Sequence, residues 1–170
     1  ECGDGKVEGL EDCDGAGCSD DTDADSPANR QAVEEGRDIF RNDTFGDEAF
    51  WTDRLRLHEV ISSAVDPTTA LSVGLKVDSE MVPANVLSTA DLRSPATTVA
   101  LLKLGAVVGV KGTVVTEGGT DRLTRVGITC ALCHSTVDNS VMPGIGKRLD
   151  GYANRDLNPG AIIALSPALT

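Results

Sequence analysis

Aromatic side chains are scarce in this chain: one Trp, one Tyr and three Phe, 3% of 170 residues. That excludes a core built mainly from aromatic rings, and a large flat apolar ligand is one way to supply the missing volume. Histidine and methionine number two each, so a site that needs imidazole or thioether has few residues to draw on. Positive charge is also short, with fifteen Lys and Arg against twenty-seven Asp and Glu and a net charge of −12. So anionic a chain is a poor partner for nucleic acid or an anionic membrane. No apolar run approaches the roughly 20 residues that span a bilayer. The length suits one domain, and an apolar content of 40% is ordinary for a packed core.

The charge is unevenly spread. Residues 1–26 hold ten acids and one lysine, and the remainder is close to balanced. The organisation expected is an acidic, Cys-rich leader over residues 1–28, followed by a single domain over residues 29–170. Cys2, Cys13 and Cys18 lie in a Gly/Asp-rich stretch that lacks apolar residues, so it requires a covalent or metal staple rather than burial. Three is odd, so one disulfide leaves one thiol free or available to another chain. Asp21, Asp23 and Asp25 are spaced like the start of a calcium loop. Ser26 and Ala32, however, stand where an EF-hand requires Gly and Glu. An irregular calcium site and a solvated acidic tail are the two readings. The chain opens on Glu1, which suggests a processed, exported protein, periplasmic or extracellular.

Periodicity predicts a helix over "NRQAVEEGRDIFRN", with Val33, Gly36, Ile39 and Phe40 on one side. It predicts another over "EAFWTDRLRLHEVISSA", capped by Asp47, with Trp51, Leu55, His58 and Ile61 on one face. Asp66-Pro67, Ser94-Pro95 and Asn158-Pro159 each read as a cap followed by proline at the first helical position. The period then changes. "AVVGVKGTVV" and "DRLTRVGIT" are β-branched runs on either side of Glu117-Gly118-Gly119-Thr120, the pattern of a β-hairpin. Its glycines suit a hairpin turn rather than a phosphate loop. "MPGIGKRLDGYANRDLNPG" reads as loop. The fold class expected is mainly α with a β-hairpin before the motif described next.

"GITCALCHSTVD" contains Cys130, Cys133 and His134, a CxxCH sequence. One helical turn sets two thiols to form thioethers with the vinyl groups of a haem and aims the next imidazole at the iron, which is the c-type haem attachment pattern. Three other chemistries use paired cysteines. A zinc site needs two further ligands, for which Cys13 and Cys18 are the available thiols. A thioredoxin-like pair wants a βαβ context, which the pattern lacks. A plain disulfide is the third.

If haem c is bound, His134 is its first ligand, and the opposite face of the iron has few claimants. His58 is the other histidine of the chain, on the same predicted face as Trp51. Met81, Met142 and an open position are the alternatives. Two protein ligands favour electron transfer, whereas an open position favours peroxide or small-ligand chemistry. Arg148 and Arg155 are candidate partners for haem propionates or plain surface charges.

"GRDIFRNDTFGDEAFWTDRLRLHEVI", "ATTVALLKLGAVVGVKG", "VGITCALCHSTVD" and "GIGKRLDGYANRDLNPGAIIALSP" together resemble a family of exported bacterial proteins with one cytochrome c domain. The likeness covers roughly residues 35–168. It implies covalent haem at Cys130 and Cys133 with His134 as ligand, and it sets His58 in the family's "LRLHEVI" segment. Family members extend past the equivalent of Thr170, so the resemblance implies either a short form or a processed fragment. About ninety residues separate "GRDIF" from Cys130, so the haem domain expected is cytochrome c-like with an atypical topology. The leader resembles Cys-rich repeats of bacterial surface proteins. The function expected is electron transfer to and from redox partner proteins. A haem enzyme, or a fragment of one, is the alternative. A subunit of a surface electron-conducting polymer, linked through the leader, is a third reading.

Overall fold

A computed structural model describes residues 26–169. Its contacts divide the chain into two compact units, Glu1–Asp38 and Ile39–Thr170. The described part of the first is helical, the early turns of α1 (Pro27–Asn42). Cys2, Cys13, Cys18 and the possible calcium ligands Asp21, Asp23 and Asp25 lie outside the described residues.

The second unit is mixed α/β, with small two-stranded sheets between short helices. The stretch expected as one helix after Asp47 is two. A π-helical segment, Ala49–Arg54, is followed by Arg56, whose φ of 52° is left-handed, and α2 (Leu57–Ala64) starts afresh. Asp47 is not a helix cap. Its carboxylate accepts the Trp51 indole N–H and the backbone N–H of Ile128 instead. Thr52 reinforces the same junction, donating to the Val126 carbonyl at 2.9 Å and accepting the Val126 N–H at 2.8 Å. These long-range bonds explain the break. The segment follows the partner strand rather than its own periodicity.

The capped starts occur where the sequence places them. Asp66 accepts the Thr69 N–H ahead of α3 (Pro67–Ser72). The next stretch is broken at Pro83, as its proline suggests. It holds strand β1 (Val77–Asp78), a short 3₁₀ turn and α4 (Ala84–Thr89). Ser94 precedes α5 (Pro95–Lys103), though its hydroxyl makes no capping bond.

The hairpin pairs β2 (Val110–Glu117) with β3 (Thr120–Ile128) antiparallel, with a register shift at Thr113/Val114. Gly118 and Gly119 have φ of 57° and 82°, the sign that a two-residue hairpin turn requires at both positions. After the hairpin come α6 (Ala131–His134) and β4 (Ser135–Val137). The stretch read as loop contains β5 (Ile145–Gly146), parallel to β1, and β6 (Arg148–Asp150), antiparallel to β4. Asn158 caps α7 (Pro159–Ala164) by accepting the Ala161 N–H.

The core joins Leu55 and Leu57 to Val99, Leu102, Val110, Val126 and Leu132, so α2, α5, the hairpin and the CxxCH turn share one apolar interior. A second cluster comprises Val108, Ala131 of that turn and Val137, with Phe40 against it. Ser166 is fully buried and donates to the Leu55 carbonyl at 2.6 Å, fastening the C-terminal segment to the end of the π-helical segment. Among the described residues no helix is long and apolar enough to cross a membrane.

Candidate functional site

The CxxCH sequence forms a single helical turn directly after β3. Its seat is backbone on backbone. The Thr129 N–H donates to the Gly109 carbonyl at 3.0 Å. Gly109 itself has a φ of 74°, and a Cβ there would collide with the backbone of Ala131 and Leu132. Only glycine allows the chain that close behind the turn.

The other side is held by the loop after β6. Gly151 donates to the His134 carbonyl and Asn154 to the Cys133 carbonyl, both at 2.9 Å. The Asn154 amide also donates to the carbonyls of Gly74 and Leu132. Carbonyls that a short helix leaves unpaired at its C-terminus are thereby satisfied. Within this frame Ala131 and Leu132 are buried, whereas Cys130, Cys133 and His134 are exposed. Both cysteines are free thiols. The packing buries the apolar residues of the turn and presents its reactive ones.

Beside the turn opens an apolar cavity whose empty space, open mouth included, is about 890 Å³. Cys133 and Leu132 line it. The opposing walls are Trp51 from the π-helical segment, Leu57, Val60 and Ile61 from α2, and Val110, Val126 and Ile128 from the hairpin. Leu157, Ile162 and Leu165 close the C-terminal side. Among the described residues no charged side chain lines it. Trp51 is oriented by its bond to Asp47 and by edge-to-face contact with Phe50, the ring centroids 5.1 Å apart. Burial pushes the Asp47 carboxyl up, against the lowering effect of its bonds to Ile128 and Trp51.

Of the residues singled out by sequence, the cavity brings Cys133 and Trp51 together. His58 sits on α2 among lining residues but is not itself one of them. Its side chain is 23% exposed, Nε2 lies 3.9 Å from a Glu59 carboxylate oxygen, and Nδ1 is buried without a hydrogen-bond partner among the described residues. The turn's own His134 does not line the cavity either. Met81 and Met142 are both exposed.

Arg148 is nearly enclosed, and its Nε donates to Asp150 at 2.8 Å while Nη2 is buried without a partner among the described residues. Asp150 also accepts from Ser135 and pairs with Arg41. Burial pushes the Asp150 carboxyl up, but the Ser135 and Arg41 hydrogen bonds and the Arg148 charge outweigh it and hold the group below its ordinary value. Arg155 is exposed. Neither arginine lines the cavity.

Sequence reasoning did not find the C-terminal wall or Asn154. The aliphatic cluster "AIIAL" after Asn158-Pro159 was a signal for the wall. Asn154 carries none, because its role depends on contacts with residues far away in the chain. Among the described residues no group of three or more His, Cys, Asp or Glu is gathered as a metal cage. Comparison of the chain with models of known families, with characterised proteins and with solved structures returns no match.

Proposed function

We propose that this chain is an exported c-type cytochrome in which Cys130 and Cys133 tether one haem, His134 ligates its iron, and the protein carries single electrons between partner proteins. One observation supports the reading above the rest. The CxxCH turn exposes Cys130, Cys133 and His134, and Cys133 lines a cavity walled by aliphatic side chains and Trp51. A flat apolar macrocycle with thioether links suits that donor set and those walls. When bound, such a haem supplies an iron that cycles between ferric and ferrous states.

The chain's own residues divide the work. The aliphatic walls exclude water, Trp51 offers a ring face fixed through Asp47, and the loop bonds from Gly151 and Asn154 hold the motif's backbone. His58 is our candidate for the second axial ligand. Its unpartnered Nδ1 and its place on the wall helix α2 support that choice. Arg148 and Arg155 are candidate propionate partners, and of the two Arg148 has a buried donor with no partner among the described residues. Export, to the periplasm or the cell surface, accords with the leader's disulfide-suited composition.

A second reading, a haem enzyme with an open iron position, is favoured by one fact: neither His58, Met81 nor Met142 lines the cavity. Visible spectra separate the two. Sharp α and β bands on dithionite reduction, with no rapid reaction with CO, indicate two protein ligands and the electron carrier. A high-spin spectrum that changes at once on CO addition indicates the enzyme.

A further inference from the structure

Asn154 holds an unusual position beside the CxxCH turn. Its backbone N–H binds the Cys133 carbonyl at 2.9 Å, and its side-chain NH₂ binds the Gly74 carbonyl at 2.9 Å and reaches the Leu132 carbonyl at 3.4 Å. Both donor directions are thus used, which fixes the amide with its oxygen on the remaining side. That oxygen, Oδ1, is buried and has no hydrogen-bond partner among the described residues. A buried acceptor without a donor has given up its hydration for nothing in return, and such an atom calls for a role.

Gly151, three residues earlier in the same loop, binds the His134 carbonyl. The loop 151–154 therefore brackets the backbone of both Cys133 and His134, bringing Asn154 close to the last residue of the motif. His134 is exposed. An imidazole that gives one nitrogen to a metal carries a proton on the other and needs an acceptor for it.

Resting on the cytochrome reading above, we infer that Asn154 is a positioning residue for His134, its Oδ1 accepting the Nδ1–H of the ligating imidazole. The contact sets which nitrogen faces the iron and makes the ring a stronger donor. A stronger donor favours the ferric state and lowers the midpoint potential.

The test is the midpoint potential of haem-loaded wild type against three variants. Asn154→Leu and Asn154→Ala remove the acceptor, and each raises the potential. Asn154→Asp replaces it with a stronger, anionic acceptor and lowers the potential. A merely structural role loosens the site in all three, admits water, and lowers the potential in each. Alanine serves in place of leucine if the larger side chain fails to fold. Alanine and leucine variants at or below the wild-type potential overturn the inference. Failure of the underlying reading is a different result, since wild-type protein would then carry no covalent haem at all.

Discussion

The indole N–H of Trp51 donates to Asp47 at 2.8 Å, and the same carboxylate accepts the backbone N–H of Ile128. One acidic side chain thereby joins the π-helical segment to the end of β3, two residues before Cys130. Trp51→Phe leaves the ring but removes the bond, and the expected loss is about 1 kcal/mol, measured by chemical denaturation. Trp51→Ala also empties part of the cavity wall, and the expected loss rises to about 2–4 kcal/mol. Equal losses for the two variants would show that the bond, not the ring, matters.

Gly109→Ala tests the seat of the motif. The substitution imposes a Cβ at a φ of 74° and against the backbone of Leu132. Strain and collision together should exceed about 2 kcal/mol, measured by the same denaturation. A fully stable variant would mean that the turn shifts easily, contrary to the seat described.

Asp150 predicts a pH dependence. Its carboxyl titrates below the ordinary 3.8 despite burial, because Ser135, Arg41 and Arg148 favour the ionised form. A folded-state pKa below the unfolded one means the fold releases the proton more readily. The contribution is therefore complete above pH 3.8 and is lost as pH falls through the folded value. Asp150→Asn should cost about 1–3 kcal/mol near neutral pH and flatten the acid limb of stability. An unchanged acid limb would assign that limb to other carboxylates.

His58→Ala tests the second axial ligand. In haem-loaded protein the reduced spectrum should change from low spin to high spin, and CO should then bind readily. A low-spin spectrum that persists would point to Met81 or Met142.

How legible these features were depends on whether their causes were local. The hairpin was readable because Gly118-Gly119 lies between two β-branched runs, and the α3 start because Asp66-Pro67 combines a cap with a fixed φ. The break at Arg56 was not. "RLRLHE" has no glycine or proline, and the left-handed residue is imposed from outside, by Thr52 on Val126 and Ser166 on Leu55. The strands β5 and β6 were missed for the same reason, since each is only two or three residues long and exists through pairing with β1 and β4. Within the candidate site, Cys130, Cys133, His134 and Trp51 came from spacing and periodicity. The cavity's far wall and Asn154 depend on tertiary contacts that no local pattern encodes.

A covalent bond between this chain and one haem underlies the proposed electron transfer. The most direct measurement is the intact mass of protein matured in a host competent for c-type haem attachment, taken under denaturing conditions, for wild type and Cys130→Ala/Cys133→Ala. The account predicts a wild-type mass increased by one haem that survives denaturation and a double variant at the bare polypeptide mass. Wild-type protein at the bare mass, with both thiols open to alkylation, would contradict it.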